Sequence, residues 1–124
     1  MCEPSLNYME ESLRAACELF NSQRWYEAHD AFEDIWNGLD GDERQVIQGI
    51  LQVSVSQFHL GKGNINGAMI LLGEGLGRIK TRQRIKIGMD LKSLCQTLEI
   101  LLNKLHENKP ITKNDIPYIK KTKS

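Results

Sequence analysis

The sequence predicts an all-α protein, a single-domain five-helix bundle built from tetratricopeptide-like helical hairpins. Three observations support this fold class. Apolar residues recur at helical spacing between four breaks rich in polar residues and glycine. No β-hairpin signal appears anywhere in the chain. The length of 124 residues, with 40% hydrophobic and 26% charged residues, is typical of one globular domain with its own core.

Each predicted helix lies between two of these breaks. The helices are expected at about residues 6–21, 24–37, 42–61, 64–80 and 91–107. Asp40 or Asp42, Asn64 and Asp90 are the candidate N-caps of the third, fourth and fifth helices. A side-chain oxygen at that position accepts a hydrogen bond from one of the free amides of the first turn.

A weak internal repeat with an offset of 40 residues relates two helix pairs. Residues 20–28 align with residues 60–68, and each segment reads as a helix end, a short turn and a new helix with an early alanine. This pattern resembles the helical hairpin of tetratricopeptide repeats, and the fifth helix would cap the stack. Each glycine inside the fourth helix costs about 1 kcal/mol relative to alanine, so close helix packing is expected to compensate. These glycines are Gly67, Gly73, Gly75 and Gly77. For Gly77, the alternative is a position near the end of the helix.

Composition and motifs exclude several classes of protein. The longest apolar run, residues 68–72, is far shorter than the roughly 20 residues that span a bilayer, so no membrane association is expected. Three widely spaced cysteines without a CxxC pair argue against a disulfide framework and a cysteine zinc site, and favour the cytoplasm. Phosphate-loop, dinucleotide-binding and nucleophile-elbow motifs are absent, so no cofactor is predicted.

Charge is distributed unevenly along a chain whose formal net charge is zero. Residues 1–45 carry a net charge of −8 and residues 46–124 a net charge of +8. The two halves can neutralise each other within the fold, steer a charged partner or favour a homo-oligomer. We place a helical domain at residues 1–108 and an extended, basic C-terminal tail at residues 109–124.

A further basic cluster lies at the end of the predicted fourth helix. Phosphate or RNA contact is one interpretation. A solvated helix end, where bases favour the helix macrodipole, is the other. The neutral overall charge and the absence of neighbouring aromatic residues argue against a dedicated nucleic-acid binder. The cluster consists of Arg78, Lys80, Arg82, Arg84 and Lys86.

Polar residues follow one face of the otherwise apolar third helix, in a stripe about 80° wide. This polar stripe consists of Gln48, Gln52, Ser56 and His59. On the second helix, His29 and Glu33 share one face. Because an unpaired buried polar group costs about 1–3 kcal/mol, we expect the polar faces of these two helices to meet. The candidate binding site consists of His29, Glu33, Trp36, Gln48, Gln52 and His59, together with Asn64 at the start of the next helix.

Three interpretations of this cluster follow from the residues. It is a hydrogen-bond network that fixes helix register, or a pocket for a small polar ligand with Trp36 as its apolar wall. The third is a metal or acid–base site with His29, Glu33 and His59 as ligands, although no bound metal is predicted. We favour a binding or interaction module for a protein or small polar ligand, with a metal-assisted hydrolase as the alternative.

Several ordered blocks resemble the domain of unknown function 309 proteins. His29, Glu33 and Trp36 fit the family's His-x-x-x-Glu-x-x-Trp signature. Further blocks that resemble the family lie at residues 48–52, at His59, at residues 63–68 and at residues 88–91. The resemblance covers about residues 18–107 and implies a small all-helical cytosolic protein. It implies no established activity.

Overall fold

A computed structural model of the protein describes residues 4–122, with side chains from residue 10 onward. Within this range it contains five α-helices and one short 3₁₀ helix. They are α1 (Pro4–Asn21), α2 (Trp25–Trp36), α3 (Gly41–Gly61), α4 (Ile65–Lys80), α5 (Leu91–His106) and the 3₁₀ helix η1 (Lys113–Asp115). The predicted all-α class is confirmed, and each helix end lies within two residues of its expected position. In the described part of the chain, no helix is both long and apolar enough to cross a bilayer.

The helices pack in chain order, with α1 on α2, α2 on α3, α3 on α4 and α4 on α5. α3 forms the centre because α2 and α4 cover it from two sides, and Val46, Ile50 and Val53 along it are fully buried. This central position agrees with its nearly all-round apolar sequence. Sequential packing is what stacked helical hairpins require, while the closer likeness to tetratricopeptide repeats stays a prediction.

The α1–α2 and α3–α4 turns have the same backbone structure. The amides of Arg24 and Asn64 each donate to the carbonyl five residues earlier, at 3.0 and 2.9 Å. The preceding residues, Gln23 and Gly63, both have a positive φ, of 63° and 82°. A left-handed residue with this hydrogen bond ends many helices. The 40-residue sequence repeat therefore corresponds to one hairpin turn used twice.

Two of the predicted N-caps are confirmed. The side chains of Asn64 and Asp90 each accept a hydrogen bond at 3.0 Å from the amide three residues later. Asp40 occupies the N-cap position of α3, but its side chain makes no capping hydrogen bond. The first turn of α3 instead contains Asp42 and Glu43, whose carboxylates interact favourably with the positive end of the helix dipole.

α3 and α4 cross where Gly49 and Gly75 face each other. A Cβ atom added at Gly75 would lie 2.6 Å from the Gly49 carbonyl oxygen, and one added at Gly49 would lie 2.8 Å from the Gly75 carbonyl oxygen. The close packing expected for the glycines of α4 is thus confirmed at Gly75, whereas Gly77 faces open space. This crossing decides which face of α3 is turned to α4.

The C-terminal segment packs against the helices. The Asn21 side chain donates to the Ile119 carbonyl at 2.9 Å and accepts from the Ile119 amide at 2.8 Å. Ile119 is buried, and the Asp90 amide donates to the Lys120 carbonyl at 2.8 Å. Residues predicted as a basic tail are therefore tied to the end of α1 and to the start of α5.

Asp115, which is buried, anchors this segment. Its carboxylate accepts hydrogen bonds from Lys104 Nζ at 2.8 Å, and from the amide and hydroxyl of Thr112 at 2.8 and 3.0 Å. The hydrogen bond from Lys104, followed by those from Thr112, holds the pKa of Asp115 below its ordinary value of 3.8. A carboxyl whose pKa is lowered by folding stabilises the protein above its unfolded pKa, and that stabilisation is lost as the pH falls through the folded pKa.

Asp115→Asn is expected to lower the free energy of unfolding at pH 7 by about 1–2 kcal/mol, because hydrogen bonds to a charged group are lost. The variant should also lose less stability than the wild type as the pH falls below 3.8. Urea unfolding at pH 7 and at pH 3 measures both effects. Asp42→Asn removes a more exposed carboxylate and should change stability at pH 7 by less than about 1 kcal/mol. Equal effects of the two substitutions would contradict the anchoring role of Asp115.

The two described cysteines are poor nucleophiles. Burial raises the pKa of the Cys17 thiol to about 12 and that of the Cys95 thiol to about 11. Both thiols are therefore protonated at neutral pH, and a thiol reacts as its thiolate. Cys95 is buried and Cys17 is partly buried, while Cys2 lies outside the described residues.

Candidate functional site

Two of the predicted site residues of α2, His29 and Glu33, lie on one outward stripe with Tyr26 and Asp30. Positions 26, 29, 30 and 33 share a helix face because they are three or four residues apart. The ring centroids of Tyr26 and His29 lie 6.4 Å apart, and His29 Nδ1 lies 3.3 Å from Asp30 Oδ1. His29 is half-buried, whereas Asp30 and Glu33 are exposed. His29, Asp30 and Glu33 each offer one potential metal-ligand atom, and these three atoms all lie within 4.8 Å of one another.

The C-terminal end of α3 lies beside this stripe. The ring centroids of Phe58 and Tyr26 are 5.9 Å apart, and those of Phe58 and His59 are 6.2 Å apart. His59 Nδ1 in turn lies 3.4 Å from Asn64 Nδ2. Two aromatic rings thus connect the predicted site residues of α2 with those of the α3–α4 turn. We name this group the Tyr26–Phe58 surface, and it consists of Tyr26, His29, Asp30, Glu33, Phe58 and His59.

The structure corrects the expectation that Gln52 faces α2. Its Nε2 donates to Glu74 Oε1 at 2.9 Å, and its Oε1 accepts from Arg78 Nε at 3.0 Å, so both partners belong to α4. Ser56, on the same stripe, donates to the Ala68 carbonyl of α4 at 2.8 Å. Gln52 and Ser56 of the polar stripe therefore stabilise the α3–α4 interface.

The physical reason is the glycine crossing. Gly49 lies on the same face of α3 as Gln52, and its contact with Gly75 turns that face toward α4. Among the described residues, no hydrogen bond joins the His29 or Glu33 side chain to those of the stripe on α3. The polar residues of α2 therefore do not form the expected hydrogen bonds with the polar stripe of α3, which consists of Gln48, Gln52, Ser56 and His59.

Trp36 has a different environment from the rest of the predicted site. The Arg44 guanidinium carbon lies 3.7 Å from the centroid of its ring, which is cation–π geometry. Arg44 Nε is buried and has no hydrogen-bond partner among the described residues, while the guanidinium that contains it lies against the indole face. Trp36 thus joins the end of α2 to the first turns of α3.

The charge of α2 is strongly negative. The helix has four carboxylates and no lysine or arginine. Among the residues that the structure describes, only Glu27 of these four pairs with a lysine or arginine, namely Arg24. Among the described residues, Asp30 and Glu33 have no lysine or arginine partner. Tyr26 is 65% exposed and Phe58 is 38% exposed beside these carboxylates. A negative field next to aromatic faces stabilises a cation in two ways, through charge and through the ring quadrupole.

A cation of the protein itself already lies over one of these rings. Lys62 Nζ is 5.4 Å from the centroid of the Phe58 ring. This distance is within the range of about 6 Å that cation–π attraction requires. The opposite ring, Tyr26, is the more exposed of the two and has no such partner among the described residues.

The sequence did not indicate that Phe58 belongs to a surface. Phe58 belongs to the apolar pattern of α3, and this pattern predicts a buried side chain. It is exposed because α3 extends to Gly61 and Phe58 lies in its last turn. The signal that could have shown this is its position beside His59 and before the turn at residues 62–64.

Some of the predicted phosphate-binding residues bind other side chains of the protein, and others are exposed without such a partner in the described part of the chain. Arg78 donates to two glutamine side chains of α3, and Lys80 and Arg82 each pair with one carboxylate. Arg84 and Lys86 are exposed and form no ion pair within residues 10–122. The cluster is therefore not one uniform solvated patch.

A cleft of about 950 Å³ lies between α1 and the C-terminal segment. Its apolar walls include Leu13, Ile35 and Ile119. Its rim carries both acidic and basic side chains, such as Glu18 and Lys121, so the rim selects no single sign of ligand charge.

The sequence model of the family described as Domain of unknown function (DUF309) matches residues 13–71. The matched segment contains α2, α3 and the start of α4. It therefore includes every residue of the Tyr26–Phe58 surface, whereas the basic residues that end α4 lie outside it. No curated protein shows significant similarity to the chain.

Proposed function

We propose that the protein is a binding module for a protein partner. The DUF309 family model that matches residues 13–71 names no activity, so this proposal is argued from the geometry. The Tyr26–Phe58 surface would hold an arginine-bearing segment of that partner. The observation that carries this proposal is the exposed Tyr26–Phe58 ring pair beside carboxylates that lack a lysine or arginine partner among the described residues.

Arginine fits this surface better than other side chains. Its planar guanidinium stacks on aromatic faces and forms paired hydrogen bonds with a carboxylate. Tyr26 offers the ring, and Asp30 and Glu33 lie one and two turns further along the same stripe. The Lys62–Phe58 contact supports the same chemistry, because it shows a cation held at this surface by a ring.

Fluorescence anisotropy with a labelled arginine-rich peptide tests the proposal. At physiological salt, we expect saturable binding that is stronger than that of the matched lysine peptide. Tyr26→Ala should weaken binding about tenfold, because an aromatic residue at the centre of a small interface contributes more than about 1 kcal/mol. Tyr118→Ala, which removes another exposed tyrosine, is the control and should leave the affinity unchanged.

A charge-matched pair of variants separates specific binding from general attraction. Glu33→Gln should weaken binding of the arginine peptide, whereas Glu107→Gln, at the end of α5, should not. Equal weakening by both variants, or equal affinity for the arginine and lysine peptides, would contradict the proposal. Self-association without peptide binding would also contradict it, by indicating that a second copy of the chain occupies the surface.

A divalent transition metal is a second candidate ligand, favoured by the His29–Asp30–Glu33 group. One imidazole and two carboxylates form a donor set that suits Zn²⁺ or Mn²⁺. Asp30 takes the place expected for His59, which lies near Asn64 instead. Calorimetric titration with Zn²⁺ should show one site that His29→Ala removes and His106→Ala retains. Absence of such a site would exclude both this ligand and the metal-assisted hydrolase.

A further inference from the structure

The connection between α4 and α5 forms a cleft with a strong excess of positive charge. The cleft has a volume of about 790 Å³ and lies between the end of α4, the first turn of α5 and the start of α3. Within the described part of the chain, a single carboxylate, that of Asp42, lines it. Its four cationic side chains are Lys80, Arg82, Arg84 and Lys92. This local excess is notable in a chain whose formal net charge is zero.

Arg82 is held rigidly in this cleft. Its Nε lies 3.1 Å from Asp42 Oδ1, and its Nη1 donates to the Arg78 carbonyl at 3.1 Å and to Thr81 Oγ1 at 2.9 Å. Its remaining nitrogen, Nη2, makes no hydrogen bond to the described residues. A guanidinium fixed on two of its nitrogens, with the third free, is pre-organised to bind an anion.

Favourable interaction with a helix dipole does not account for the positions of all four cationic side chains in the cleft. Bases at the end of α4 are favourable, because the C-terminus of a helix carries partial negative charge. Lys92, by contrast, lies in the first turn of α5, where the partial charge is positive and a cation is unfavourable. The nearby Asp90 carboxylate is committed to the Ser93 amide at 3.0 Å. Lys92 and Arg84 are exposed and have no carboxylate partner in the described part of the chain.

We propose that this cleft binds the phosphate group of a small phosphorylated molecule. A phosphate dianion supplies the negative charge that Arg84 and Lys92 lack, since Lys80 and Arg82 each already pair with one carboxylate, and it accepts hydrogen bonds from several donors at once. The volume lies within the range of about 300–1,000 Å³ found for small-molecule sites. Among the residues that the structure describes, the lining has no aromatic ring on which a nucleotide base would stack, which favours a small ligand over single-stranded nucleic acid. This site is separate from the Tyr26–Phe58 surface.

Calorimetric titration with inorganic pyrophosphate, at constant ionic strength, tests this inference. We expect saturable binding to the wild type, weakened about tenfold by Arg84→Gln and about tenfold by Lys92→Gln, since each loses a charge-assisted contact. Both side chains are exposed, so the melting temperatures should stay within about 2 °C of the wild type. Lys109→Gln, a basic residue beyond α5, and Tyr26→Ala should bind pyrophosphate like the wild type.

Three outcomes would overturn the inference. Pyrophosphate fails to bind, or Lys109→Gln weakens binding as much as Arg84→Gln does, or a single-stranded oligothymidylate binds more tightly than pyrophosphate with a steep salt dependence. The last outcome would assign the cleft to a nucleic-acid backbone. Because Tyr26→Ala leaves this cleft intact, failure here is distinguishable from failure of the proposed protein-binding function.

Discussion

Gly75→Ala is expected to lower the free energy of unfolding by about 2 kcal/mol, although alanine is ordinarily the better helix former. The new Cβ would lie 2.6 Å from the Gly49 carbonyl oxygen and 3.1 Å from Val53 Cγ2. The first contact is with backbone, so it is relieved only by moving α3 and α4 apart. Overpacking of this kind costs up to about 3 kcal/mol, which exceeds the gain of about 1 kcal/mol in helix propensity.

Gly77→Ala is the matched control, because it makes the same change two residues further along α4. No atom lies within 4 Å of a Cβ at Gly77, so only the gain in helix propensity remains. We expect stability to rise by up to about 1 kcal/mol. Urea denaturation of the two variants should therefore give changes of opposite sign. Stabilisation by both would show that the α3 and α4 backbones are not in contact.

Phe20→Ala is expected to have a larger effect, a loss of about 4 kcal/mol. Phe20 is fully buried, and its ring centroid lies 5.0 Å from that of Trp25 and 6.3 Å from that of Phe32, both edge to face. The substitution removes these aromatic contacts and leaves a cavity where α1 packs on α2. α2 is the helix against which α1 mainly packs, so the docking of α1 depends on this cluster.

Urea denaturation measures this loss, with Tyr118→Ala as the control. Tyr118 is 55% exposed, and its truncation should change stability by less than about 0.5 kcal/mol. Loss of less than about 1 kcal/mol in Phe20→Ala would contradict the described packing of α1. Retention of cooperative unfolding would show that the other helices remain a unit when α1 is weakened.

Local signals in the sequence predicted the helices and two of their caps. Helical periodicity marked each segment, and Asn64 and Asp90 accept the capping hydrogen bonds expected of them. The repeat at an offset of 40 residues corresponded to a repeated turn because the same backbone hydrogen bonds end α1 and α3. These features depend on residues that are close together in the chain.

The partners of the predicted site residues depend on the packing of distant segments, and periodicity does not reveal them. A polar stripe on α3 has two neighbouring helices to face, and the pattern containing Gln52 does not distinguish α2 from α4. The Gly49–Gly75 crossing makes that choice, and its two members lie on different helices. The docking of Ile119 on Asn21 is similar, since 98 residues separate the two.

The most direct test of the central claim is chemical-shift mapping of the ¹⁵N-labelled protein with the arginine-rich peptide at physiological salt. Binding at the Tyr26–Phe58 surface predicts saturable shifts of backbone amides at residues 26–33 and 58–64. Amides at residues 81–92, around the basic cleft, should not move. Shifts spread along the acidic α1 helix, or shifts absent from α2 and the end of α3, would contradict the claim.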